Sequence, residues 1–288
     1  MLNMLQHLMI LIVSSSVVIL LFCIVEIVAG KHPQTSVSDF IIDIFTLAIP
    51  SNVGNLLVYG LAALTFIVLP NEYGALSSTP WWAQFLAFLV LEDMMNYWFH
   101  RASHKFQWMW PLHLPHHSPL YMSARIIRRN SILIHLMFPN MYFAAALVYL
   151  GFGEVYVWYS LIKITVLCAA HSELRWDAVL YRHKFLNPLA WIIERTISTP
   201  ATHFAHHAET EDDGIGNFNG NYGNLLFLWD VLFGTALITR QYPPRVGVKE
   251  ERVEGPTSWY AQLFYPLFST SKKAPSPVLT VTSPAIDT

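Results

Sequence analysis

HLPHH, His113–His117, places three imidazoles within five residues, and HFAHH, His203–His207, repeats that spacing ninety residues later. HRASH, His100–His104, lies just upstream of the first. Of the 13 histidines in the chain, eight fall in these three short stretches. On a helix of 3.6 residues per turn, i and i+4 share a face, so HRASH points His100 and His104 the same way. HLPHH and HFAHH add an i+3 ligand, giving a fan whose adjacent pair is turned by about 100°. Such a fan can hold two ions or wrap one side of a pair. Imidazole is a good ligand for Fe, Zn, Cu and Ni. Eight clustered imidazoles exceed what one tetrahedral zinc can use, which argues for two metals.

The setting of the histidines is apolar. The 288 residues are 54% hydrophobic and only 12% charged, against about 25% charged in an average soluble domain. The composition predicts an all-α integral membrane bundle of about four to five membrane helices, with a helical, histidine-rich cap. Spans are expected at 8–29, 52–69, 81–99, 131–150 and 154–170, since about 20 apolar residues cross a bilayer. The last two are joined by only Gly151–Gly153 and read as a helical hairpin. The run at 40–49 is too short to span and reads as interfacial, and 222–238, which contains Asp230, reads as packed or interfacial. Three regions follow: membrane helices over 1–79, a catalytic region over 80–240, and a C-terminal segment over 241–288 whose end, rich in Ser, Thr and Pro, is expected to be disordered. The net charge of −2 gives no footprint for nucleic acid. The two cysteines, Cys23 and Cys168, lie in apolar runs and form neither a disulfide framework nor a thiolate metal site.

Of the 17 lysines and arginines, five fall in 100–130, ten from 171 onward, and none in 1–9, 70–80 or 151–153. The positive-inside rule then puts 100–130 and 171–288 on the cytoplasmic side, in a bacterial inner membrane or the endoplasmic reticulum. Every histidine cluster lands on that face. Asp93, Tyr97, His100 and His104 form one helical stripe, from which Asp93 is expected to accept a hydrogen bond from a ligand imidazole. The isolated His7, His32, His135 and His183 read as ordinary surface or core residues. Lys163 inside the fifth span is expected to snorkel or to pair with Glu154. Arg125, Arg128 and Arg129 are candidates for a lipid headgroup, or for a basic loop on the membrane surface.

These stretches, with EDMMNYWFHR at 92–101, AHSELR at 170–175, STPATHFAHH at 198–207 and NYGNLLFLWDVLFGT at 221–235, resemble the fatty acid hydroxylase superfamily, which includes sterol desaturases, sterol methyl oxidases and alkylglycerol monooxygenases. The resemblance covers roughly half the chain. It implies two iron ions held by histidines near the cytoplasmic membrane face, O2 as co-substrate, and hydroxylation or desaturation of a lipid: a sterol, fatty acyl or alkyl-glycerol chain. Electrons would come from a separate protein, a haem protein or a ferredoxin with its reductase. It adds His171 to His100, His104, His113, His116, His117, His203, His206 and His207 as a ninth ligand, and it marks Asn221 as a supporting residue. The chain departs from the family pattern at Asn219 and Val231, where Asp and Arg are usual, and in YMSARIIRR at 121–129. Two other classes fit a histidine-rich membrane protein. In a zinc hydrolase, HRASH would lack its base, because Arg101 stands where HExxH has Glu. A metal transporter would place its ligands near the bilayer midplane rather than at helix ends.

Overall fold

A computed structural model describes residues 2–48 and 50–268. Among these residues every regular element is helical, and the only extended pairing is an isolated antiparallel bridge between Ala208 and Val246. The tail expected to be disordered lies outside the described residues.

The first element, α1 (Leu2–Val28), is apolar on both its packed and its exposed faces. It buries Met4, Leu8, Leu11, Ser15, Ile19 and Glu26, a stripe at helical spacing that packs on α9 (Gly153–His171). Most of the rest of its surface is exposed apolar side chain, Leu20, Leu21, Ile24 and Val25 among them. Exposed apolar surface of this kind marks a face that meets a membrane or a partner. By length and composition α1 and the helical run Pro139–His171 are long enough to cross a bilayer. The second run is not one rod. Gly151 sits at φ 114°, outside the helical region, and a Cβ there would lie 3.0 Å from the Ser77 backbone, so only glycine fits. Its two arms, α8 (Pro139–Leu147) and α9, fold back toward each other, and Asn140 on α8 and Tyr159 and Lys163 on α9 all bond the carboxylate of Glu92. The hairpin expected at Gly151–Gly153 is therefore present.

Two further apolar elements complete the upper bundle. α2 (Val37–Ala48) takes up the short apolar run, and α3 (Pro50–Val68) packs on α1 and α8. The third expected span is a continuous helical path: α4 (Trp81–Ala87), a π-helical turn at Phe88–Glu92, and α5 (Asp93–Lys105). The core between these helices is aromatic, with Phe88 stacked on Tyr159 at 5.3 Å between ring centroids. α5 and α9 both end in histidine, at His100–His104 and His171. Below them lie α6 (Trp110–His117), α7 (Ile132–Met137), the short α10 (Ala178–Arg182), α11 (Asn187–Thr196), α12 (Pro200–His206) and α13 (Leu228–Phe233). The C-terminal α14 (Lys249–Glu254) and α15 (Trp259–Leu263) follow, and α15 packs on α2 and α6.

Lys163 does not pair with Glu154, which lies more than two turns away on the same helix. Its Nζ lies 2.8 Å from Glu92 and 3.5 Å from Asp93, across the helix interface. Two buried carboxylates side by side need a counter-charge, and α9 supplies it.

Candidate metal centre

All nine candidate imidazoles are buried, and they sort into two groups. His100, His104, His113, His117 and His206 form one, and His116, His171, His203 and His207 the other; within each, one nitrogen per ring lies within 4.8 Å of the rest. The sorting cuts across the sequence stretches. α6 sends its i, i+4 pair, His113 and His117, to the group of five and turns His116 to the group of four. α12 does the reverse: His203 and His207 go to the group of four, His206 to the group of five. His117 and His207 stack at 4.3 Å between centroids where the groups adjoin.

Local sequence makes these short helices possible. α12 opens on a capping box, with Thr199 and Thr202 bonding each other's backbone N–H, and Pro200 at its first position; each feature favours helix initiation. α6 likewise begins beside Pro111.

Five of the nine rings are oriented through Nδ1. His100 Nδ1 lies 2.7 Å from the Tyr222 carbonyl and His206 Nδ1 2.7 Å from the Gly220 carbonyl. His113 Nδ1 lies 2.8 Å from Asn130 Oδ1, His116 Nδ1 3.2 Å from the Ile126 carbonyl, and His171 Nδ1 2.8 Å from the Leu167 carbonyl. Each acceptor assigns the proton to Nδ1 and leaves a lone pair on Nε2. Those lone pairs converge: His100 Nε2 lies 3.1 Å from His206 Nε2, and His171 Nε2 2.9 Å from His203 Nε2. Facing lone pairs at that distance repel unless a cation or a proton stands between them. Nε2 of His113 and His207, and both nitrogens of His104 and His117, are buried with no hydrogen-bond partner. Burial and neighbouring imidazoles hold His104, His116, His117, His203 and His207 well below the ordinary imidazole pKa, so these rings are neutral. Neutral, converging, unsatisfied nitrogens fit a pair of metal ions. The donors are nitrogen only, and among the described residues no carboxylate joins either group.

The loop carrying the Gly220 and Tyr222 carbonyls is clamped by a residue the spacing arguments did not single out. Asp230, fully buried on α13, accepts from Tyr222 N at 2.8 Å, Gly223 N at 2.6 Å and Thr235 Oγ1 at 2.6 Å. A Cβ on Gly223 would come within 2.8 Å of that carboxylate, so NYG followed by WD at this interval was the legible signal.

The other sequence candidates have different partners from those expected. Asp93 touches no imidazole: its Oδ2 accepts from Leu226 N and Trp229 Nε1, both at 3.0 Å. It shares the face of His100, but seven residues of helix rise about 10 Å, too far for one carboxylate to reach the ring. Tyr97 OH meets Thr235 Oγ1 at 2.9 Å and accepts from Arg101 at 3.2 Å. Asn221, at φ 54°, ties Thr202 O on α12 to Leu237 and thus braces the loop rather than a ring. Arg129 is fully buried between Asp39 and Asp43 at 2.7 and 3.2 Å, and Arg125 lies 3.7 Å from Asp43; neither is free for a headgroup. Arg128 has no such carboxylate among the described residues. His135, read as an ordinary residue, is buried with Nε2 unpartnered. His32 and His183 are exposed, and His7 packs beside Gly153.

The fatty acid hydroxylase family model matches residues 85–235, a span that holds all nine histidines. The chain belongs to the fatty acid hydroxylase family. It is 28% identical to alkylglycerol monooxygenase of Danio rerio over 219 residues, 74% of this chain and 44% of that protein. The Xenopus tropicalis alkylglycerol monooxygenase is 28% identical over 61% of the chain and 36% of its own length, and the Homo sapiens one 26% over 73% and 43%. The chain thus spans less than half the length of these relatives. No solved structure matches it. These relatives are monooxygenases by name, and the buried histidine groups of this chain could hold metal.

Proposed function

We propose that this protein is a multi-pass membrane oxygenase that uses O2 and two irons to hydroxylate a lipid C–H bond, with an alkyl-glycerol chain as the first substrate to test and sterol and fatty acyl chains as the others. The observation that carries the reading is the pair of buried, all-imidazole groups interleaved through α6 and α12. The five-histidine group would hold one iron and the four-histidine group the other. When bound, the pair would supply the reduction of O2. Hydroxylation balances as R–H plus O2, two electrons and two protons giving R–OH and water. Desaturation removes two hydrogens and sends both oxygen atoms to water.

The chain's own contribution is orientation and exclusion. Backbone carbonyls at Tyr222, Gly220, Leu167 and Ile126 keep the protons on Nδ1, and Asp230 holds the loop that carries two of them. Burial keeps bulk water from the reacting carbon. Asp93, Tyr97 and Asn221 act on the rings only through the 220–237 segment. The electrons come from a separate haem protein or a ferredoxin with its reductase, meeting the chain on the face that carries the histidine groups. That face is cytoplasmic in this reading, in a bacterial inner membrane or the endoplasmic reticulum. Residues 1–79 and 80–240 act as membrane anchor and catalytic region, with 241–268 packed beneath.

The test is turnover under isotopic oxygen. Protein in nanodiscs, loaded with iron and given a chemical reductant and 18O2, is expected to add one labelled oxygen to hexadecylglycerol or to a lipid in a membrane extract. Absence of both oxygen insertion and hydrogen loss across all lipid fractions, in protein that retains its iron, contradicts the proposal.

A further inference from the structure

Beside both histidine groups lies a cavity of about 130 Å³. His100 and His113 line it from the first group, His116 and His171 from the second. A site that binds only an alkyl chain would be walled by hydrocarbon. This one also carries Arg128, His135, Asn140 and Lys163 among apolar neighbours such as Phe138, Met141 and Ile164.

Several of those groups have nothing to bond. Arg128 Nε, His135 Nε2 and Asn140 Oδ1 are buried without a hydrogen-bond partner. His135 and Asn140 are only 6% and 7% exposed. The nearest carboxylate on the wall, Glu92, is already engaged by Lys163, Asn140 Nδ2 and Tyr159. Arg125 and Arg129, on the same loop, pair with the acids of α2. Arg128 is the one member of that trio left without a counter-ion among the described residues. Arg128 is half-buried; a guanidinium partly withdrawn from water without a counter-charge is unfavourable, and native proteins keep such groups where a ligand completes them.

We infer that this cavity receives the anionic oxygen of a lipid headgroup, a phosphate or a carboxylate, with Arg128 as its counter-ion and with His135 and Asn140 Oδ1 bonding a neighbouring oxygen or hydroxyl. Because the same cavity borders both histidine groups, the oxidised carbon lies within a few bonds of the head rather than at mid-chain; this last step rests on the oxygenase reading. The binding itself does not.

The test therefore measures binding on protein stripped of metal by a chelator, in nanodiscs of neutral lipid. Three single-chain probes are compared: hexadecylglycerol phosphate, hexadecanoate and hexadecylglycerol. Wild type is expected to bind at least one anionic probe roughly tenfold or more tightly than the neutral one, as loss of a buried charge pair would require. Which anionic probe wins separates phosphate from carboxylate. Arg128→Gln is expected to erase that preference while leaving the thermal midpoint of lipid-free protein unchanged or raised, since it removes an uncompensated charge. A purely structural arginine would show the opposite, a lowered midpoint with the preference intact. Equal binding of all three probes to wild type overturns the inference without recourse to any variant. Loss of 18O2 turnover with the preference retained would count against the oxygenase reading alone.

Discussion

HLPHH and HFAHH are the same word with opposite allegiances. In α6 the i, i+4 pair serves the group of five and the i+3 ring serves the group of four; in α12 the pair serves the group of four and the middle ring the group of five. Each short helix therefore reaches both groups, and neither group can be dismantled by displacing one helix. The groups also differ in support. Four of the five rings in one group depend on α5 and α6, and two take their orientation from the 220–222 loop. The other group leans on α9, whose own Leu167 carbonyl orients His171. The comparison teaches that the repeat in the sequence encodes an interlock rather than two copies of one site.

The largest effect should come from thinning the smaller group. His171→Ala or His203→Ala leaves three imidazoles there, and we expect loss of about one iron per chain and no detectable turnover, because the group of four has fewer ligands to spare than the group of five. His104→Ala leaves four in the larger group and should retain more metal. Equal metal loss in the two groups, measured by elemental analysis, would break the distinction between them.

Acid should come next. The buried rings have folded-state pKa values below their unfolded value of about 6.5, as burial and neighbouring imidazoles dictate. A group depressed on folding contributes stability above its unfolded pKa and loses it as pH falls toward the folded one. Metal retention and thermal stability should therefore be flat above pH about 7 and fall together as the pH drops below about 6.5. Stability that rises on acidification through that window would contradict the neutral, converging arrangement.

Asp230→Asn acts on one group alone. It weakens the clamp on Tyr222 and Gly223, and supporting residues of this kind cost roughly 10–100-fold in affinity or activity. The loss should fall on the ion of the five-histidine group, visible as a second, weaker class of iron on chelator titration. Asp93→Asn should do least to the metal. Asp93 bonds Leu226 N and Trp229 Nε1, so we expect wild-type iron content with a lowered thermal midpoint; a large loss of iron would restore Asp93 to a direct role.

Much of the site was legible because metal ligation uses local helical spacing. The three histidine stretches, their helical register and the turn at Gly151 follow from distances along the chain. His171 needed the family resemblance, since a lone histidine at a helix end has no spacing partner. What could not be read was long-range. Lys163 meets Glu92 some seventy residues away, and neither marks the other. Asp93 lies on the right face of α5 yet is drawn to the α13 loop, a partner more than 130 residues on. His135 looks like any single histidine until the fold places it on a cavity wall, and the exchange of partners between α6 and α12 depends on how two short helices face each other.

The central claim is that each chain holds two ions, one per histidine group. The direct measurement is iron content per chain by elemental analysis, with Mössbauer spectra, on protein loaded anaerobically with ferrous iron and desalted. The account predicts about two irons per chain in nitrogen-rich sites, falling to about one in His203→Ala with the remaining spectrum that of the five-histidine site. One iron per chain in wild type, unchanged by His203→Ala, would contradict it.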